Sequence, residues 1–261
     1  MERTGVIIVA GGCGRRMGST LPKQFMLLDG QPVLARTINR FAQALPGAPL
    51  VVVLPEEHKA FWRDLAARFD VARHTVATGG AERFHSVSRG LEALPPDVEL
   101  IAVHDGVRPL LSAELIRRTV AVAAEYGTAV PAIAPVDSFR STEGEASHPV
   151  DRSMLRAVQT PQVFRARLLR DAYETLFSPD FTDDASVVER FGATIRLCDG
   201  ERRNIKITAR EDLLFAEALL ADDADRAAAE AACPRDEAAM SDRTEAGIPA
   251  GRDAAVPEAA E

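Results

Sequence analysis

A short apolar run, Val6-Ile7-Ile8-Val9, leads directly into AGGCGRRMGSTLPKQF, residues 10–25. Gly11, Gly12 and Gly14 let the backbone fold closely around a ligand, with its amides turned toward oxygen atoms and no Cβ in the way. Arg15, Arg16 and Lys23 add positive charge to the same loop, and Pro22 directs the path into Lys23, whose ammonium is expected to fold back over the glycines. A buried strand that delivers amides and cations to one spot suits a polyphosphate, so the expected ligand is a nucleoside triphosphate. Two other phosphate loops are excluded. No Gly-Lys-Ser/Thr tripeptide occurs, and counting Gly-x-Gly-x-x-Gly from Gly12 and Gly14 ends on Met17.

Downstream, strand-length apolar runs alternate with helical patterns: strands over 5–10, 50–54, 72–77, 98–104 and 128–134, and helices over 32–44, 56–69, 83–94 and 112–126. This alternation predicts βαβ units and a mostly parallel sheet, with ligands bound beyond the carboxyl ends of its strands. Leu50-Val51-Val52-Val53-Leu54 is apolar on both faces, as a strand covered by helices on each side should be.

Two further loops fall at such ends. TGGAERFHSV, residues 78–87, pairs Gly79 and Gly80 with a hydroxyl at Ser86 and a cation at Arg83, which suits close approach of a flat base or a sugar. The alternative is a tight turn with Arg83 paired on the surface. IAVHDGVRP, residues 101–109, ends a buried strand on Asp105, a carboxylate expected to hold Mg²⁺ or another divalent cation. Arg108 is placed to neutralise a second substrate's phosphate, the simpler alternative being a plain Asp105–Arg108 pair.

From 136 to 158 the rhythm breaks into VDSFRSTEGEASHPVDRSMLRAV, predicted to be an extended arm that turns near Gly144 and reaches a second copy of the chain. The chain then returns through VQTPQVF (158–164), a helix at 166–177, FTDDASVVERFG (181–192), a strand at 193–198 and NIKIT (204–208), where alternation turns Lys206 away from Ile205 and Ile207. Asp183 and Asp184 suit a helix N-terminus and read as structural.

The net charge of −8 is unevenly spread: eleven of the 39 acids but only four of the 31 bases lie in 221–261, leaving residues 1–220 close to neutral. A basic nucleic-acid surface is therefore not expected. Residues 221–261, with fifteen alanines and no aromatic, are expected to form a mobile acidic tail after a 1–220 catalytic domain. Cys13, Cys198 and Cys233 follow no ligand spacing and are expected to be free thiols. No apolar run approaches the ~18–20 residues of a membrane span and no signal peptide is recognised, so a cytoplasmic protein is expected.

Taken in order, AGGCGRRMG, LPKQF, TGG-AERFHSV, HDGVRP, VDR, QTPQVF, TDDASVVE and NIKIT resemble the 2-C-methyl-D-erythritol 4-phosphate cytidylyltransferase family over residues 5–220. The resemblance implies a three-layer α/β/α doubly wound fold of the nucleotide-diphospho-sugar-transferase type with a projecting β-arm. It also implies transfer of CMP from CTP to 2-C-methyl-D-erythritol 4-phosphate with release of pyrophosphate and with Mg²⁺, in a homodimer knitted by the arm. Carried over, Arg16 and Lys23 are the catalytic cations. Ala10, Gly11, Gly12, Gly80, Ser86 and Lys206 serve the nucleotide, and Asp105 serves the metal. Arg108, Ser138, Arg152, Thr160 and Thr182 serve the acceptor phosphate, with Arg152 and Thr160 expected from the partner subunit. Threonine is common in the family where Ser138 stands. A cytidylyltransferase for ribitol 5-phosphate, or a nucleotide-binding regulatory module without turnover, is the competing reading.

Overall fold

The computed structural model describes residues 2–12 and 21–232, so Arg16, Cys13 and the predicted tail beyond residue 232 lie outside the described residues. After β1 (Thr4–Val9) come a 3₁₀ turn at Lys23–Phe25, the small hairpin of β2 (Leu27–Leu28) and β3 (Gln31–Pro32), and α1 (Val33–Ala44). Then follow β4 (Leu50–Leu54), α2 (Glu56–Ala66), β5 (Thr75–Thr78), α3 (Arg83–Ala93), β6 (Leu100–Asp105), α4 (Ala113–Tyr126) and β7 (Thr128–Ile133). The second half holds the hairpin of β8 (Phe139–Glu143) and β9 (Ala146–Val150), β10 (Ala157–Val158), β11 (Gln162–Arg165), α5 (Ala166–Ala172), α6 (Asp184–Arg190), β12 (Leu197–Asp199) and α7 (Arg210–Ala232).

One sheet runs in the order β10-β7-β11-β6-β1-β4-β5, with β12 on β7. β1 pairs in parallel with β4 and β6, β4 with β5, and β12 with β7, while β11 runs antiparallel to β6 and β7. Alternate residues of each central strand face opposite helical layers. Val6, Ile8, Val52, Leu100 and Ala102 pack with α1, α2 and α4, through Leu34, Ile38, Phe41, Trp62, Leu115 and Ile116. Ile7, Val51, Val53, Ile101 and Val103 pack with α3, α5 and α6, through Phe84, Val87, Leu91, Leu169 and Val188. The predicted three-layer α/β/α arrangement is thus the observed one.

Sequence and structure part at several boundaries, each for a local reason. β5 begins at Thr75 rather than 72 because Asn39 holds the preceding stretch, accepting from Ala72 N–H at 2.8 Å and donating to Asp70 O at 2.7 Å. β12 begins at Leu197 rather than 193 because the Thr128 hydroxyl takes the place of a ladder, donating to Thr194 O and accepting from Arg196 N–H, each at 2.9 Å. NIKIT is not a strand. It is an extended segment pinned by the Ile207 N–H to Val107 O at 2.9 Å, which buries Ile207 with Leu28, Val33 and Ala216. The arm is the predicted hairpin, and Gly144 at φ +58° opens its two-residue turn.

Contacts divide the chain into Met1–Leu220 and Ala221–Glu261. Within the second unit, residues 221–232 are helical, belonging to α7. Among the described residues no helix is long and apolar enough to cross a membrane.

At Gly90, α3 packs tightly on the sheet: a Cβ there would stand 2.6 Å from Ile7 Cγ2. Glycine-to-alanine in a helix interior ordinarily stabilises, but Ile7 is fully buried and has no room to move. Gly90→Ala is therefore expected to lower stability by about 1–3 kcal/mol in urea denaturation. A gain in stability would show that α3 can lift from β1 without penalty.

Candidate functional site

The carboxyl ends of β1, β4, β5 and β6 converge on one cleft, because the parallel ladder continues into the loops. Ala10 N–H bonds Val53 O at 2.9 Å, Gly79 N–H bonds Leu54 O at 2.8 Å, and Gly106 N–H bonds Val9 O at 2.8 Å. The cavity so formed measures about 280 Å³, and its lining includes Ala10, Gly11, Gly12, Lys23, Gly80, Ser86, Asp105 and Lys206. Every residue predicted for the nucleotide is there, together with Lys23 and Asp105.

The Lys23 stem lies against the glycine loop, its Cε 3.7 Å from where a Cβ on Gly12 would be, and its charge reaches Asp212 at the start of α7. Gln24, next to it, is fully buried and donates to Ala10 O at 2.9 Å, fixing the turn where β1 becomes loop. Across the cleft, Gly80 is required by close packing, since a Cβ would collide with His85 Cβ. The Ser86 hydroxyl accepts from Gly80 N–H at 3.2 Å and donates to Glu82 O at 3.1 Å, which leaves one acceptor lone pair for a ligand.

Asp105 forms the floor. Lys206 Nζ lies 2.9 Å from Oδ2, Arg108 Nε 3.6 Å from Oδ2, and Arg83 Nε 3.6 Å from Oδ1. Burial alone would raise this carboxyl, but the three cations outweigh it and hold its pKa well below the ordinary range. The Asp105–Arg108 pair is present, as one of three, and Arg83 is half-buried in a pair of its own. Its Nη1 and Nη2 grip Asp184, which is fully buried, at 2.9 and 2.6 Å.

The five residues assigned to the acceptor phosphate fare differently, and none is among those lining the cleft. Arg108 is turned toward Asp105 and donates to Asn204 O at 2.8 Å. Ser138 is exposed just before β8, Thr182 is exposed just before α6, and Arg152 is exposed and donates to Val136 O at 2.6 Å. Thr160 corrects the expectation that it reaches the site from a partner. It lies behind Asp105 of its own chain, buried, with its hydroxyl accepting from Asp105 N–H at 3.1 Å.

That hydroxyl also lies 3.0 Å from His104 Nδ1, and His104 Nε2 lies 3.2 Å from Arg108 O. Arg108 O can only accept, so Nε2 carries the hydrogen, and with burial keeping the ring neutral Nδ1 accepts the Thr160 proton. Sequence reasoning passed over this histidine, and also Asn204, which donates to Thr160 O at 2.8 Å. Buried polar residues beside the recognisable charges carried the only signal.

A glycine-walled cleft at the carboxyl ends of a doubly wound sheet is a usual nucleotide site, and the solved structures this chain matches make its fold one of the α/β nucleotidyltransferase type. The family model described as 2-C-methyl-D-erythritol 4-phosphate cytidylyltransferase matches residues 4–222. The chain belongs to this family. It is 47% identical over 216 residues to the protein of that name from Bacteroides fragilis, covering 82% of this chain and 98% of the relative. The corresponding protein of Geobacillus kaustophilus is 41% identical, with 82% and 96% covered. The crystal structure of the Thermus thermophilus protein of that name superimposes with a TM-score of 0.69 at 34% identity, covering 84% of this chain and 98% of that one.

Burial pushes the pKa of His104 down to about 3, so unfolding takes up a proton as the pH falls below the ordinary value of 6.5. The stability tied to this neutral ring is complete above pH 6.5 and is lost on acidification toward the folded value. Between about pH 6 and 5, where carboxylates contribute little, unfolding free energy is expected to drop by up to about 1.4 kcal/mol per pH unit. The drop should be smaller in His104→Gln, and an identical slope in both proteins would contradict the assignment.

Proposed function

We propose that this chain transfers CMP from CTP to 2-C-methyl-D-erythritol 4-phosphate, giving 4-diphosphocytidyl-2-C-methyl-D-erythritol and pyrophosphate in the non-mevalonate isoprenoid pathway. The observation that carries the reading is the convergence of both glycine loops, Lys23, Lys206 and Asp105 on one cleft in a chain of this family. The family favours this acceptor over ribitol 5-phosphate, and the charged residues kept in the cleft favour turnover over a purely regulatory role.

A phosphate monoester needs no general base to act as a nucleophile. Its oxygen attacks the α-phosphorus of CTP in line, a new P–O bond forms, and the bond to the bridging oxygen breaks with its electron pair leaving on pyrophosphate. Negative charge grows on the α-phosphoryl oxygens and the leaving group, so preorganised cations lower the barrier. Lys23 beside Gly12, Lys206 beside Asp105, and Arg16 of the same loop fill that role. Gly80 and Ser86 form the cytosine wall, and Ala10, Gly11 and Gly12 the floor under base and ribose. Arg108, Ser138, Arg152, Thr160 and Thr182 are the proposed acceptor-side group, Thr160 acting from behind Asp105.

Mg²⁺ or another divalent cation is the proposed cofactor. No group of three or more acidic, histidine or cysteine side chains suited to a metal occurs among the described residues. A lone carboxylate nonetheless fits, since Mg²⁺ is commonly held by one or two carboxylates plus substrate phosphates, and among the described residues the cation paired with Asp105 Oδ1 is Arg83, at 3.6 Å. When bound, such a cation supplies charge neutralisation at the phosphates.

The proposed dimer rests on the arm, whose neighbourhood exposes Val136, Phe139, Met154 and Val158. A cytoplasmic location fits a pathway of small phosphorylated intermediates. Light scattering is expected to give a dimer, and a monomer at micromolar concentration would remove that part of the proposal.

The decisive assay is pyrophosphate release with CTP, Mg²⁺ and either polyol phosphate. Turnover is expected with 2-C-methyl-D-erythritol 4-phosphate, and faster turnover of ribitol 5-phosphate would overturn the acceptor. Lys23→Ala and Arg16→Ala are each expected to lose about 10²-fold in kcat, equivalent to a few kcal/mol of transition-state stabilisation. Unchanged kcat in both would remove their assigned roles.

A further inference from the structure

Of the three cations around Asp105, Arg83 alone is held by a second carboxylate. Its Nη1 and Nη2 donate to Asp184 Oδ1 and Oδ2 at 2.9 and 2.6 Å, a bidentate fork. Asp184 is fully buried and also accepts from Tyr173 Oη at 2.7 Å. Its own position is fixed in turn. Asp183 caps α6 with a reciprocal Ser186 box, and buried Gln162 of β11 donates to Asp183 Oδ2 at 2.7 Å while accepting from Ala185 N–H at 2.9 Å. A guanidinium is planar, so clamping both terminal nitrogens also fixes where Nε lies. Here that is 3.6 Å from Asp105 Oδ1, on the cleft side of α3.

Lys206 and Arg108 address the other oxygen of Asp105, at 2.9 and 3.6 Å from Oδ2. Among the described residues, Arg83 is therefore the one cation paired with Oδ1. At 3.6 Å it makes no hydrogen bond, so it leaves that oxygen's lone pairs open while opposing rotation of the carboxylate toward Lys206. We propose that Arg83, clamped by Asp184, is a positioning residue that orients the Asp105 carboxylate in the nucleotide cleft and acts on nucleotidyl transfer through it. The inference rests on the proposed cytidylyl transfer for its kinetic consequence, and on geometry alone for the orientation of Asp105.

The competing possibility is that Arg83–Asp184 is only a joint between α3 and α6. The two differ in what each requires. A joint needs balanced charge, or none, because a buried pair can be replaced by neutral groups without loss of stability. Orientation of Asp105 needs the planar fork. Arg83→Lys keeps a cation beside Asp184 but removes the fork, and the double variant Arg83→Gln with Asp184→Asn leaves no unpaired buried charge.

Both variants would be compared with wild type by melting temperature, by calorimetric CTP affinity without acceptor, and by kcat and KM with CTP and 2-C-methyl-D-erythritol 4-phosphate. In each variant that melts near wild type, kcat is expected to fall at least about tenfold with CTP affinity changed less than about threefold. A kcat that survives in a folded variant would reduce the pair to a joint. A loss of CTP affinity matching the loss of kcat would make Arg83 a direct nucleotide contact, equally overturning the proposal. A crystal structure of Arg83→Lys supplies the readout independent of substrate. The Asp105 carboxylate is expected to turn, and an unchanged orientation refutes the proposal even if wild type itself fails to use this acceptor.

Discussion

A carboxylate at the end of a buried strand is expensive unless cations come to it, and the cations that reach Asp105 come from three separate parts of the chain. Arg83 arrives on the first turn of α3, Arg108 on the turn after β6, and Lys206 on the segment before α7. Each must be held in place by its own element. The strand order, which lays β6 beside β1, brings Asp105 level with Val9 and so with the glycine loop. The cleft is thus the place where sheet register and charge pairing fix one another. A shift of either would leave one charge buried and unpaired.

Behind this ring lies a neutral layer with a different task. Asp105 N–H, Thr160, His104 and the carbonyl of Arg108 form one chain of hydrogen bonds, and Asn204 ties Thr160 to the Lys206 segment through Thr160 O. None of these groups carries charge when His104 is neutral, so the layer adds direction without adding to the field at the cleft. It also explains why Thr160, though a polar residue near the floor, has its hydroxyl already engaged on both sides. A buried network of this kind specifies one arrangement because leaving any member unmatched carries a penalty of order 1–3 kcal/mol.

Much of this was legible in the sequence. Strands buried on both faces and helices with one apolar stripe announce themselves by period, which is why β1, β4, α1 and α4 fall within a residue or so of expectation. Glycine loops and a strand-end aspartate are equally visible, because few other structures need those residues there. What stayed hidden was pairing over distance. Asp184 reads locally as an ordinary helix-start acid, and only the fold brings it to Arg83, 101 residues away. Thr128 and Asn39 replaced ladder hydrogen bonds by side-chain ones and so moved strand boundaries that the apolar pattern alone placed earlier. His104 carried no signal for the same reason: its partner, Thr160, lies 56 residues on.

The two sides of the reaction are built to different degrees within one chain. The proposed nucleotide side has walls, floor and charges gathered around a single cavity. On the proposed acceptor side, Arg108 is turned inward, while Ser138 and Arg152 flank a hairpin whose residues are almost all exposed. Among the described residues Arg152 donates to the backbone carbonyl of Val136, which leaves most of its five donors for other partners. A hairpin with Phe139 in water, and Val136 exposed just before it, has little reason to persist alone, since two strands without a covering layer are marginal. Both facts are accounted for at once by the proposed dimer, in which covering the arm and completing the acceptor pocket would be one event. On that reading, acceptor recognition depends on protein concentration in a way that nucleotide binding does not.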